Sequence, residues 1–280
     1  MPNFLENILA DAKKTLREAG ISSWALDGNI LMAYVLKISR EQLIIRNKHI
    51  LSQEEKDMFE CLVEKRRNFM PVGYITNNVE FMGLDFYVND SVLIPRPDTE
   101  ALVEAAISYI NKNGTKAVLD MCTGSGAIAV SIAHYCPWSR VTAIDISPKA
   151  IDVAVINRDK NKVSINYMQS NMFENVCGVF DLIVSNPPYI SKSEMKGLPE
   201  NVANYEPHLA LYGGEDGLLF YRILAGAGEY LHDLGKMFIE IGAVQKKDVI
   251  DIFIKENFYL HSALKDLAGL DRVLIFGKNV

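Results

Sequence analysis

Two short stretches of this 280-residue chain hold residues whose types and spacing could do chemistry. In the first, the apolar run Asp181-Leu-Ile-Val-Ser185 passes straight into Asn186-Pro187-Pro188-Tyr189. Each proline fixes φ and pushes the preceding residue out of the helical region, so the turn is stiff. It presents the Asn186 amide and nearby carbonyls at the carboxyl end of a strand, the edge where open α/β sheets bind ligands. Prolines offer no N–H, so the turn is rich in acceptors. A planar NH₂ on an amide or nucleobase is a poor nucleophile, because its lone pair is delocalised. Accepting both of its hydrogens, with the Asn186 side-chain oxygen and the Pro187 carbonyl, fixes its orientation and favours the pyramidal transition state. Tyr189 can stack on or wall the planar group. The proton can leave after attack, so no strong base is required. Asn186, Pro187 and Tyr189 are therefore the candidate catalytic residues, and Asn186, Pro187, Pro188 and Tyr189 the candidate substrate grip.

The second stretch is Asp120-Met-Cys122-Thr123-Gly124-Ser125-Gly126-Ala127, which closes one strand and opens a helix. Glycines there allow a sharp turn and a close approach of backbone to a ligand. Asp145 ends the next strand, 19 residues after Gly126, where a carboxylate can accept both hydroxyl protons of a ribose. Gly124-Ser-Gly126-Ala-Ile-Ala129 also fits the dinucleotide fingerprint, so this loop alone leaves an NAD-dependent oxidoreductase open. That reading gives Asn186–Tyr189 no role.

The elements that must position these stretches follow from hydrophobic periodicity. Residues 1–70 read as a small helical domain, with Gly20 ending the first helix, Ser22 or Ser23 capping the second, and Ser52 with Glu55 forming a capping box. Lys65-Arg66-Arg67 reads as a solvated helix end. Residues 71–95 read as a β-hairpin connector around Gly83. Residues 96–280 alternate a helix from Asp98 with short apolar strands: Ala117–Asp120, Arg140–Asp145, Ile165–Gln169, Asp181–Ser185 and Lys236–Ile241. That alternation predicts an α/β fold, a doubly wound Rossmann-like parallel sheet, closed by an antiparallel pair at Phe258–Lys265 and Arg272–Gly277.

Composition bounds the functions. Hydrophobic residues at 49% and charged residues at 23% are ordinary globular proportions and exclude a disordered or low-complexity chain. The N-terminus lacks the charged and apolar regions of a signal peptide, and no apolar run is long enough to span a membrane. Four scattered cysteines without CxxC spacing and five histidines without mutual spacing predict no metal site, and reduced thiols in a cytoplasmic protein. Residues 1–70 hold 11 basic and 10 acidic groups, whereas residues 71–280 hold 18 and 25. The acidity of the larger part argues against direct nucleic-acid binding.

With these motifs in view, the chain resembles methyltransferases that alkylate planar amino groups with S-adenosyl-L-methionine, and within them the HemK/PrmC family. That family methylates the side-chain nitrogen of a glutamine in the Gly-Gly-Gln loop of peptide chain release factors. The likeness extends to Pro71-Val-Gly-Tyr-Ile75, Phe81-Met-Gly83, Val92-Leu-Ile-Pro-Arg-Pro-Asp-Thr-Glu100, Tyr205-Glu-Pro207, Gly213-Gly-Glu-Asp-Gly-Leu218, Asp266-Leu-Ala-Gly269 and Asp271-Arg272. The resemblance implies that Cys122, Thr123, Gly124, Ser125 and Gly126 surround the methionine part of the cofactor. Asp145 would hold the ribose, Met172 flank the adenine, and Asn186 face both cofactor and substrate, leaving S-adenosyl-L-homocysteine as product. It places Arg96–Glu100 near the mouth of the site and implies a release factor as partner; the chain is expected to act as a monomer. Cys122 stands where the family usually has Gly, Asn171-Met172-Phe173 replaces an acidic-aromatic pattern, and Asn77 stands where Gly is common. The Asn-Pro-Pro-Tyr turn is shared with DNA adenine and ribosomal RNA guanine methyltransferases. A nucleic-acid amino-group methyltransferase is thus the first rival, with the oxidoreductase and a non-enzymatic binding module behind it.

Overall fold

The computed structural model describes residues 3–46, 48–266 and 268–279 and divides the chain into two compact units. The first comprises Met1–Asn77 with Pro199–Tyr205, the second Asn78–Leu198 with Glu206–Val280.

Within its first 77 positions, the described residues of the first unit form, in chain order, α1 (Leu5–Glu18), α2 (Trp24–Leu36), α3 (Arg40–Ile45), α4 (Gln53–Arg67) and α5 (Val72–Thr76). Leu9, Leu16, Leu31, Phe59 and Leu62 are buried in one cluster, as apolar residues at helical spacing require. The Ser52–Glu55 capping box is present, with both reciprocal hydrogen bonds formed. Two local expectations differ. The Ser23 hydroxyl does not cap α2; it donates to Asp27 Oδ2 at 2.7 Å. Arg66 is not solvated: it is buried, and its Nε donates to the same carboxylate oxygen at 2.7 Å. Asp27 is itself only 5% exposed, and a buried carboxylate without a partner would be costly. Residues 72–76, read from sequence as part of a connector, form α5, which ends at Asn77 in the left-handed region (φ 52°). That conformation accounts for the glycine common there, and Asn tolerates it better than most residues.

The second unit begins with the antiparallel hairpin β1 (Val79–Phe81) and β2 (Leu84–Phe86). Helix α6 (Glu100–Asn113) follows a 3₁₀ turn at Pro97–Thr99. Then come β3 (Ala117–Met121), α7 (Ala127–Tyr135), β4 (Arg140–Asp145), α8 (Pro148–Lys160), β5 (Ile165–Gln169) and β6 (Phe180–Ser185). Helix α9 (Glu200–Ala203) lies in the stretch that belongs with the first unit. The chain closes with α10 (Leu219–Ala225), β7 (Leu231–Glu240), α11 (Lys246–Lys255), β8 (Phe258–Lys265) and β9 (Asp271–Lys278).

Seven strands form one sheet in the order β5-β4-β3-β6-β7-β9-β8. The first five in that order run parallel; β9 is antiparallel to both of its neighbours. This is the expected α/β fold with a mixed edge. Along β3 and β6 successive side chains alternate between two buried clusters, Val118, Leu182 and Val184 in one, Leu119 and Ile183 in the other. Helices therefore cover both faces. The strand order reverses between β3 and β6, so the loops leaving those strands open side by side onto a crevice.

Candidate active site

The glycine loop leaves β3 and the Asn-Pro-Pro-Tyr turn leaves β6. The two are tied where they start, Ser185 Oγ donating to the Met121 carbonyl at 2.8 Å. Between them lies a cavity of about 190 Å³ with mostly apolar walls. Of the residues expected at the cofactor, Cys122, Thr123, Gly124, Ser125, Asp145 and Met172 line it, as do Asn186 and Pro188 of the turn.

Asp145 is fixed by the loop opposite. Its Oδ2 accepts from the Gly124 N–H at 2.8 Å and its Oδ1 from the Ser147 N–H at 2.9 Å. Each oxygen keeps a further lone pair for a ligand hydroxyl. Gly124 (φ +54°) has open space where a Cβ would stand. Cys122 adopts φ 62°, the left-handed region that favours glycine, which explains why glycine suits the position and what the cysteine costs, about 1–2 kcal/mol. Its Sγ lies 3.8 Å from Met172 Sδ.

Gly126, Pro187 and Tyr189 do not line the cavity. A Cβ on Gly126 would come within 3.0 Å of Ala154 Cβ and 3.1 Å of Tyr167 Oη, so this glycine serves the close packing of α8. The Tyr189 ring packs half-buried against the cluster that contains Ile239 and Phe253, and burial pushes its hydroxyl up to about 12. Its main-chain oxygen accepts from Gln245 Nε2 at 2.9 Å, and the same nitrogen donates to the Gly217 carbonyl at 3.2 Å. Gln245 thus pins the end of the turn. Sequence reading missed it, along with the wall residues Val92, Leu93, Leu209 and Phe220.

The Pro95–Glu100 run acquires a partner for each polar residue. Arg96 Nη2 pairs with buried Glu206 at 2.5 Å, and Asp98 pairs with Arg272 at 3.2 Å. Thr99 Oγ1 accepts from Asn186 Nδ2 at 3.1 Å, and Glu100 accepts from the Met82 N–H at 2.8 Å. Arg96 and Thr99 both line the cavity.

At the base of the glycine loop, Asp120 is fully buried; its Oδ2 accepts from the Thr123 hydroxyl at 2.5 Å and the Ala129 N–H at 3.1 Å. Burial outweighs these bonds and pushes its carboxyl up to about 7. The unfolded chain releases this proton near its ordinary 3.8, and the folded chain only near 7. The folded state therefore binds more protons between those values, and its stability falls as pH rises through that window. Asp120→Asn keeps an oxygen for both donors and removes the titration. At pH 8 it is expected to be more stable than the parent, on the order of 4 kcal/mol at the conversion of one pKa unit to 1.36 kcal/mol, with the advantage vanishing below pH 4. Thermal unfolding of both proteins across pH checks this; parallel curves would show that Asp120 titrates alike in both states.

A PrmC N-terminal domain model matches residues 7–76 and a methyltransferase small domain model matches residues 99–204. A release factor glutamine methyltransferase of Clostridium acetobutylicum is 41% identical over 278 residues, 97% of this chain and 97% of its own length. The chain belongs to the release factor glutamine methyltransferase family. Another member, from Agrobacterium fabrum, is 37% identical over 275 residues and covers 96% of this chain and 95% of its own. Among solved structures, a methyltransferase from Pyrococcus furiosus aligns with a TM-score of 0.52 over 71% of this chain and 91% of that one, at 20% identity, a likeness of fold. Family membership makes the chain a methyltransferase. These relatives do not favour the nucleic-acid enzyme or the oxidoreductase that the individual motifs left open.

Proposed function

We propose that the chain transfers a methyl group from S-adenosyl-L-methionine to the side-chain nitrogen of a glutamine in the Gly-Gly-Gln loop of peptide chain release factors. The observation that carries this reading is Asn186 and Pro188 of the Asn-Pro-Pro-Tyr turn lining the same cavity as the Asp145 carboxylate, in a chain related over nearly its whole length to release factor glutamine methyltransferases.

The residues present fit the cofactor. The open space at Gly124 and the spare lone pairs of Asp145 suit a ribose, and the apolar wall at Met172 suits the adenine. S-adenosylmethionine supplies, when bound, an electrophilic methyl group on a sulfonium. Asn186 Oδ1, on the cavity wall, accepts from the glutamine amide and orients its nitrogen; Pro187, expected to share this role, does not line the cavity. Bound beside the glycine loop and Asp145, the cofactor would supply the methyl group to the nitrogen that Asn186 holds, leaving as S-adenosyl-L-homocysteine while the amide proton is lost to solvent. Cys122 to Gly126 shape the methionine end, and Pro188 and Tyr189 stiffen the turn. The helical unit recognises the release factor. No helix among the described residues is long and apolar enough to cross a membrane. Translation termination, the process this reaction serves, assigns the enzyme to the cytoplasm.

Enzyme, labelled S-adenosylmethionine and purified release factor, or its Gln→Ala variant, test the reading. Label on the unaltered factor alone is the expected result; equal label on both, or on neither, overturns it. Asp145→Ala is expected to weaken S-adenosylmethionine binding by about tenfold or more, the loss of a charge-assisted bond worth 1.5–3 kcal/mol. Calorimetry checks this, and an unchanged affinity would remove Asp145 from the ribose site.

A further inference from the structure

Thr99 occupies the N-cap position of α6, where a threonine hydroxyl ordinarily accepts a backbone N–H of the first turn. Here it makes no such bond. Its oxygen accepts from Asn186 Nδ2 instead, across 87 residues of sequence. Glu240 neighbours both Thr99 and Asn186. Ser185 on β6 pairs with Ile239 on β7, so the residues that follow, Asn186 and Glu240, emerge from the sheet level with each other. Glu240 is 2% exposed, and its Oε2 has no hydrogen-bond partner among the described residues. Burial pushes its carboxyl up to about 7, and the neighbouring Thr99 and Asn186 side chains and the Arg272 guanidinium only partly offset this by favouring the charged form. Arg272 is in turn fastened by Asp266 at 3.0 Å and by Asp98, one residue before Thr99, at 3.2 Å.

The consequence is chemical. A side-chain amide can be turned over by half a rotation, exchanging its oxygen and nitrogen, and the two orientations fit the same space. Once ionised, above about pH 7, the Glu240 carboxylate accepts and does not donate, so what faces it is the NH₂ of Asn186. The opposite face of the amide, turned to the cavity, is then necessarily its oxygen. We infer that Thr99 and Glu240 are positioning residues that lock the Asn186 amide with Oδ1 toward the substrate, so that an incoming planar NH₂ meets an acceptor and not a second NH₂. Arg272 and Asp98 hold the two locking groups in place. The inference rests on the function proposed above and adds to it what selects the productive orientation of Asn186.

Three variants separate the lock from mere packing. Thr99→Val preserves shape and removes the acceptor. Thr99→Ser restores it. Glu240→Gln offers Asn186 an amide that can donate or accept, and so tolerates both orientations. With wild-type enzyme methylating release factor as the reference, Thr99→Val and Glu240→Gln are expected to lower kcat by 10-fold to 100-fold. KM for release factor and the calorimetric Kd for S-adenosylmethionine should stay within about threefold, and Thr99→Ser should recover most of the rate. Two results would overturn the inference: kcat within threefold of wild type in both variants, or a fall in kcat matched by equal loss of cofactor affinity and thermal stability. Either is distinct from failure of the proposed function, in which the wild-type enzyme itself leaves release factor unlabelled.

Discussion

Asn186→Ala is expected to lower kcat for release-factor methylation by about 10²–10³-fold, the effect of deleting one preorganised hydrogen-bonding group at a reacting centre, while leaving S-adenosylmethionine affinity within a few-fold. The asymmetry follows from where Asn186 sits. It caps β6 at the crevice, half-buried, and its side chain bonds Thr99 and lies against Glu240, not against the glycine loop, so its removal leaves the sheet and the glycine loop intact. Asp145 stays anchored by Gly124 and Ser147 on the other side of the cavity. What disappears, on the proposed function, is the acceptor that fixes the plane of the substrate amide. An unheld amide rotates, and its delocalised lone pair seldom points at the methyl group. Steady-state kinetics with release factor and calorimetric titration with cofactor measure the two halves separately. A variant that retains kcat within threefold would show that the turn does not grip the amide.

Gly213→Ala is expected to lower kcat by about 10²-fold and to lower the melting temperature by several degrees, at a site that touches neither ligand. A Cβ there would stand 2.7 Å from Tyr189 Cα, 2.8 Å from the Pro188 oxygen and 2.9 Å from the Tyr189 carbonyl carbon. All three are main-chain atoms, so no rotamer change can relieve the overlap. The backbone around Gly213 is committed as well, its N–H donating to the Ile190 oxygen at 2.8 Å. The methyl group can be housed only by moving the Asn-Pro-Pro-Tyr turn, and misplacement of a positioning group by about 1 Å costs on the order of 10²-fold in rate. Overpacking of this kind typically costs 1–3 kcal/mol of stability. Gly217 repeats the arrangement, with φ +76° and a Cβ that would lie 2.5 Å from the Tyr189 oxygen. Gly197, which has nothing within 4 Å, provides the control and should tolerate alanine in both assays. Normal kcat in Gly213→Ala would mean that the turn absorbs the shift without catalytic consequence.

The strand-helix alternation, the two loops and the acidic residue after β4 were legible in the sequence because each is written in contiguous residues. Hydrophobic period gives the element, and turn chemistry gives its end. The strands at Arg140–Asp145, Ile165–Gln169 and Phe258–Lys265 fall where the pattern placed them. The network around the turn was not legible, because its members meet only in three dimensions. Thr99 and Asn186 lie 87 residues apart, Arg96 and Glu206 lie 110 apart, and Tyr189 and Gln245 lie 56 apart. Arg66 failed for the same reason: a basic helix end looks solvated until Asp27, 39 residues earlier, is brought beneath it. Gly213 and Gly217 could be recognised in the chain only through resemblance. Their physical necessity, a main-chain contact with Tyr189, appears once the turn is folded.

The excursion of Pro199–Tyr205 into the helical unit means that the polypeptide passes between the units three times, after residues 77, 198 and 205. Neither unit can be excised at a single cut. Deleting the first 77 residues strands a seven-residue loop whose Tyr205 hydroxyl loses its acceptor, the Asn68 carbonyl at 2.6 Å. The very next residue is Glu206, partner of Arg96, followed by Pro207, Leu209 and Ala210 on the cavity wall. Fusion, truncation and domain-exchange designs must therefore treat residues 199–205 as cargo of the helical unit, grafted together with it, or they will unmoor one side of the methyl-transfer pocket.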